Sequence, residues 1–235
     1  MTRRLQRLPA GVVSFILVAW ALLALIGASP YAELLSHHVI GESLSPALTL
    51  GFFMAGWLLM SVAMMLPSTL PTLVRFERRD DAFWVSGYLA VWLEVGLLIY
   101  GGDLALHTQL EPRFPLASVW LSAALLLAAG LYQFTPLKRR CLAWCAGRLE
   151  RHRTGWDALA SGWRHGLACA GSCWALMLVM SASSSMNLAY MLLLGAFMAA
   201  EKRPRWGRTL TPALGAALLC AAGVTALRMA KVQLL

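Results

Sequence analysis

Charge is what this sequence has little of. Only 13% of its 235 residues are Asp, Glu, Lys or Arg, and 11 of them are acidic. A soluble domain carries roughly twice that charged share and covers its surface with it, so a water-exposed globule is excluded. Ten-residue segments of alternating polarity are missing too, which excludes a transmembrane β-barrel. No internal repeat recurs, and no connection is long enough to fold separately, leaving one membrane domain over residues 1–235. There is no phosphate-binding P-loop, no His-Glu-x-x-His helix and no Gly-x-Ser-x-Gly elbow, so ATP-driven transport, zinc proteolysis and serine hydrolysis lack their signatures. Lys138, Lys202 and Lys231 all fall outside the apolar blocks, which removes a retinal Schiff base.

What is present is apolar, 59% of the chain, and it comes in blocks of spanning length. A helix of about 20 such residues matches a hydrocarbon core of roughly 30 Å. Seven blocks are expected as transmembrane helices: Ala10 to Ala28, Pro46 to Leu70, Ala82 to Leu106, Leu116 to Phe134, Trp163 to Ser181, Ser184 to Ala200 and Leu210 to Leu227. The sixth is short enough to be re-entrant. The expected class is therefore an all-α polytopic membrane bundle.

The net charge of +9 is not gathered on one surface, so nucleic acid is not an expected partner. The basic residues report topology instead. With a cytosolic N-terminus, all of them except Arg113, Arg228 and Lys231 fall on the inner side, which places the C-terminus outside a bacterial inner (cytoplasmic) membrane. The connection at about 137–162 reads as a cytosolic amphipathic helix. Its apolar edge is Leu137, Cys141, Trp144, Cys145 and Leu149, and its basic face includes Lys138, Arg139 and Arg140.

The chemistry-bearing residues cluster in the fifth block. His165, Cys169, Cys173 and Met177 recur every four residues, so they share one slowly drifting helix face. Imidazole, thiolate and thioether form a soft ligand set that favours Cu(I), with Zn(II) as the second choice. The second block adds Met60, Met64 and Met65 ahead of Pro67, which loosens the helix at the depth expected for His165 and Cys169. The two helices could close one site. Each residue also has a packing reading: Met fills core gaps, Cys acts as a small hydrophobe, and His165 beside Arg164 suits an interface.

Cys141 and Cys145, four apart, could hold one ion and serve as a hand-off pair. Five cysteines, an odd number, do not make a disulfide framework. Glu94 lies mid-block, where an acid is costly and is a candidate proton relay. Asp103 and His107, with Glu33, His37, His38 and Glu42, form a weaker outer-side cation candidate.

The chain resembles the bacterial predicted metal-binding integral membrane proteins, a family that includes membrane copper chaperones for polyphenol oxidase (tyrosinase). The resemblance is carried by Ala63-Met64-Met65-Leu66-Pro67 and by Gly130 to Lys138 followed by Cys141 and Cys145. It continues through Arg164-His165-Gly166 with Cys169, Gly171, Cys173 and Trp174, then Met186-Asn187-Leu188-Ala189 and Glu201-Lys202. It implies copper binding by the methionine-rich helix and delivery of copper to a copper-dependent enzyme. Carried onto this sequence, it points to Met64, Met65, His165, Cys169 and Cys173, and to Cys141 and Cys145. Two departures stand out: Ser172 where the family often has a cysteine, and Glu94, an acid atypical of the family.

The leading expectation is a non-catalytic membrane protein that binds Cu(I) and passes it on by ligand exchange. The alternatives are a structural or assembly subunit bound to another membrane protein, and a proton-coupled transporter using Glu94.

Overall fold

The computed structural model describes residues 10–28, 45–70, 81–110, 117–146, 155–182 and 188–233. Among the described residues the chain is helical, with no strand. The α-helices are α1 (Ala10–Gly27), α2 (Pro46–Met65), α3 (Asp81–Ala105), α4 (Ala117–Gln133), α5 (Pro136–Ala146), α6 (Gly155–Ala182), α7 (Leu188–Glu201) and α8 (Pro204–Gln233). A 3-10 turn, Leu66–Thr69, extends α2, and a π-helical turn, Leu106–Leu110, extends α3.

Proline and hydroxyl residues shape the two ends that matter for the site. Pro67 lacks an N–H, so the α-helical ladder stops at Met65 and tightens into the 3-10 turn. Carbonyls left over there are taken by Ser68 Oγ, 2.6 Å from the Met65 oxygen, and Thr69 Oγ1, 2.8 Å from the Leu66 oxygen. Between α4 and α5 the chain bends by 64°. Thr135 caps α5 through its Oγ1, 3.3 Å from the Lys138 amide, and Pro136 fills the first helical position.

Among the described residues, four helices are long and apolar enough to cross a membrane, Ala10–Gly27, Pro46–Thr69, Asp81–Ala105 and Arg205–Lys231, and the bent α4–α5 pair makes five if counted as one span. The protein is therefore a multi-helix membrane protein. α6 has 28 residues, about 42 Å at 1.5 Å per residue, but it carries Asp157, Arg164 and His165 and is the more polar, central helix. α7 has 14 residues, about 21 Å, short of a hydrocarbon core of roughly 30 Å. The sixth apolar block thus forms a short helix from Leu188, its first residues lying outside those described.

α3 and α6 form the tightest seam. A side-chain carbon on Gly87 would overlap the Leu159 carbonyl, and one on Gly162 would overlap the Trp84 carbonyl. The two backbones touch at a pair of glycines, the small-residue packing by which membrane helices associate without a hydrophobic driving force. α2 lies against α3, α5 against α6, and α4 pairs with α8. Leu17, Leu25, Leu98, Leu193 and Leu227 are each more than half exposed on the outside, as lipid-facing residues are.

α5 is rotated relative to the expected amphipathic helix. Lys138 and Cys145 point inward while Leu137 and Trp144 are exposed. Residues 138 and 145 are seven apart and share a face, so both cannot lie on opposite edges. Burial of Lys138 is stabilised by Glu201 of α7, whose carboxylate accepts from its Nζ at 3.0 Å, and by Gln133, which accepts from the same nitrogen.

Candidate metal centre

The stripe on α6 is wholly inside the protein: His165, Cys169, Cys173 and Met177 are all buried. One edge of it meets α2. Cys173 Sγ lies 3.8 Å from Met65 Sδ and 2.9 Å from the carbonyl oxygen of Cys169, one turn earlier. Metal–sulfur bonds of about 2.3 Å place two sulfurs on one ion up to about 4.6 Å apart, so Cys173 and Met65 are within bridging reach.

The other edge of the stripe meets α3 and the turn after α7. Cys169 Sγ is 3.0 Å from the Tyr88 hydroxyl and 3.0 Å from Lys202 Nζ. Lys202 also donates to Ser68 Oγ at 2.6 Å, so it ties the 3-10 turn of α2 to α6. His165 packs its ring against Trp84 and Tyr88, with ring centroids 5.2 and 6.1 Å away.

The structure thus brings Cys169, Cys173 and Met65 to one place, with His165 a turn away on the aromatic side. Met60, Met64 and Met177 are buried in the surrounding core, Met64 facing Gly195 of α7. Among the described residues, no three of His, Cys, Asp and Glu converge as a metal group. A metal here would need the thioether, and a thiol–thioether set suits a soft ion and not Mg(II) or Ca(II).

α5 brings its two cysteines to α6 at different depths. Cys141 is half-buried and lines an open groove of about 440 Å³ together with Arg140, Trp144, Arg164, Leu167 and Ala168. Its sulfur fills the space over Gly171, where a side-chain carbon would come within 2.7 Å, and the Tyr132 hydroxyl donates to the Gly171 carbonyl. Cys145 is buried in the core.

Glu94 is exposed on the outer side of α3, on a different face from the buried Tyr88. Glu33, His37, His38 and Glu42, and the side chain of His107, lie outside the described residues.

Tyr88, Ser68 and Lys202 were not expected at the site. Lys138 and Lys202 were expected as solvated inner-side charges, yet they are 0% and 9% exposed. A lysine buries when its charge meets acceptors, and here Glu201, Cys169 and Ser68 provide them. The sequence hints at this only in the adjacent pair Glu201-Lys202, where an acid closes an apolar block just ahead of Arg203, Arg205 and Arg208.

A family model described as PpoB2, copper chaperone, matches residues 54–225, which is more than half of the chain and includes every residue of this cluster. No curated protein matches the chain, and no solved structure does.

Proposed function

The chain belongs to the copper chaperone family, and from that premise we propose that it binds Cu(I) inside the membrane and delivers it to a copper-dependent enzyme. The observation that carries this reading is the meeting of Cys173 with Met65 at 3.8 Å, with Cys169 one turn away. Soft donors from two helices hold Cu(I) and exchange it for other soft donors without a nucleotide or a catalysed bond cleavage. The protein acts as a carrier and not as an enzyme.

Cys169, Cys173 and Met65 form the holding site in this reading. His165, Met60, Met64 and Met177 supply further soft or imidazole donors as the ion moves. Cys141, at the open groove, and Cys145, buried behind it, are the hand-off pair between the outside of the bundle and Cys169. The working topology keeps seven membrane-associated segments in a bacterial inner membrane, N-terminus in the cytosol and C-terminus outside, as the basic residues indicate.

The purified chain in detergent, loaded with Cu(I), is expected to retain roughly one ion, and the Cys169→Ser/Cys173→Ser double variant none. Unchanged copper content in the double variant would reject the site. A second reading, an assembly subunit held to another membrane protein, is favoured by one observation, the exposed acid Glu94 on α3. It predicts a defect in complex assembly that added copper does not relieve.

A further inference from the structure

Among the described residues, three charged side chains are buried, Lys138, Glu201 and Lys202, and Lys202 is the one that touches a sulfur of the cluster. Glu201 is the sequence neighbour of Lys202, and it would neutralise that lysine if it turned toward it. It turns instead to Lys138, 3.0 Å away, and the two cancel. Lys202 therefore keeps its charge for the cluster, where among the described residues its Nζ donates to the sulfur of Cys169 and the hydroxyl of Ser68.

We propose that Lys202 sets the charge of the ion this site accepts, matching it to a monovalent soft cation and against a divalent one. The inference rests on the copper-binding reading above. Cysteines bind metals as thiolates, so Cys169 and Cys173 contribute two negative charges and Met65 none. The ammonium offsets one of them. One negative charge is left, which Cu(I) or Ag(I) closes to zero and Zn(II) overshoots. An unbalanced charge is costly in a buried site of low dielectric constant, so the balance adds to softness in favouring a monovalent ion over a divalent one.

The exchange itself balances: S–H bonds break, their protons leave to water, and sulfur–metal bonds form with no electron transferred. A coordinated thiolate keeps lone pairs that accept N–H bonds, so Lys202 has no need to leave when the ion arrives.

The test is chelator competition on the full chain in detergent, run separately with Cu(I) and Zn(II). Lys202→Gln keeps a donor for Ser68 and removes the charge. It is expected to weaken Cu(I) retention by about tenfold or more and to strengthen Zn(II) retention. Lys202→Arg keeps the charge and is expected to keep the wild-type preference. A purely structural lysine would lower both metals together on removal, and that result, or an Arg variant behaving like Gln, overturns the inference. Should Lys202→Gln fail to accumulate, Lys202→Met, of similar volume, repeats the test. Wild-type protein that holds no Cu(I) overturns the copper-binding reading and this one with it. Wild-type protein that holds Cu(I), with an unchanged preference in the Gln variant, overturns this one alone.

Discussion

Cys173 Sγ and Met65 Sδ lie 3.8 Å apart although 108 residues of chain separate them. Met65 is the last α-helical residue of α2, just before the 3-10 turn that holds Pro67. Met65→Leu keeps the volume and removes the donor. It is expected to lower Cu(I) retention while costing less than about 1.5 kcal/mol in stability, since Leu and Met exchange well in cores. Parallel chelator titrations and thermal unfolding in detergent separate the two effects.

Gly162→Ala is expected to be far more damaging than the single methyl group it adds suggests. Any side chain there overlaps the Trp84 carbonyl, a backbone atom that cannot rotate away. The cost should exceed the roughly 1–3 kcal/mol of ordinary overpacking. Solubilised variant should melt well below wild type, and an unshifted melting curve would contradict the close seam.

Lys138→Met strands the buried carboxylate of Glu201. Breaking such a pair from one side typically costs about 3–5 kcal/mol, whereas replacing both partners by apolar residues restores much of it. The expected order of stability is therefore wild type close to Lys138→Met/Glu201→Leu, with Lys138→Met lowest. A single variant as stable as the double variant would show that the pair contributes little.

Glu94→Gln should leave Cu(I) retention within about twofold of wild type, because Glu94 sits on an outer face of α3 away from the sulfurs. Loss of cellular function with copper content intact would favour the proton-relay or assembly readings. Loss of copper itself would mean that Glu94 acts on the site from a distance.

Cys141→Ala is expected to slow loading from a Cu(I)–thiol donor while leaving the final copper content unchanged. Cys141 lies at the groove and not at the holding cluster. Stopped-flow loading against an equilibrium titration distinguishes a kinetic role from a structural one.

The fourfold spacing of His165, Cys169, Cys173 and Met177 was readable in the sequence because helical periodicity alone puts them on one face. The apolar blocks were readable for the same reason: hydrophobic length is a local property. Lys202 on Cys169 and Lys138 on Glu201 were not, since these contacts join residues 33 and 63 apart and depend on how helices pack. Charges beside apolar blocks read as solvated side chains, and that expectation matches Arg139, Arg140 and Arg203, which are exposed. It fails for the two lysines because buried acceptors await them. The rotation of α5 was hidden in the same way, its inner face being chosen by Glu201 and not by hydrophobicity.

At Gly87 and Gly162 the seam leaves no gap between α3 and α6 for a cation to pass. In the copper-binding reading proposed above, the ion reaches the sulfurs by another flank, and among the described residues the open groove beside Cys141 on α5 is one such approach. In that reading a recipient protein would offer its own thiols or thioethers beside α5, away from the sealed glycine face.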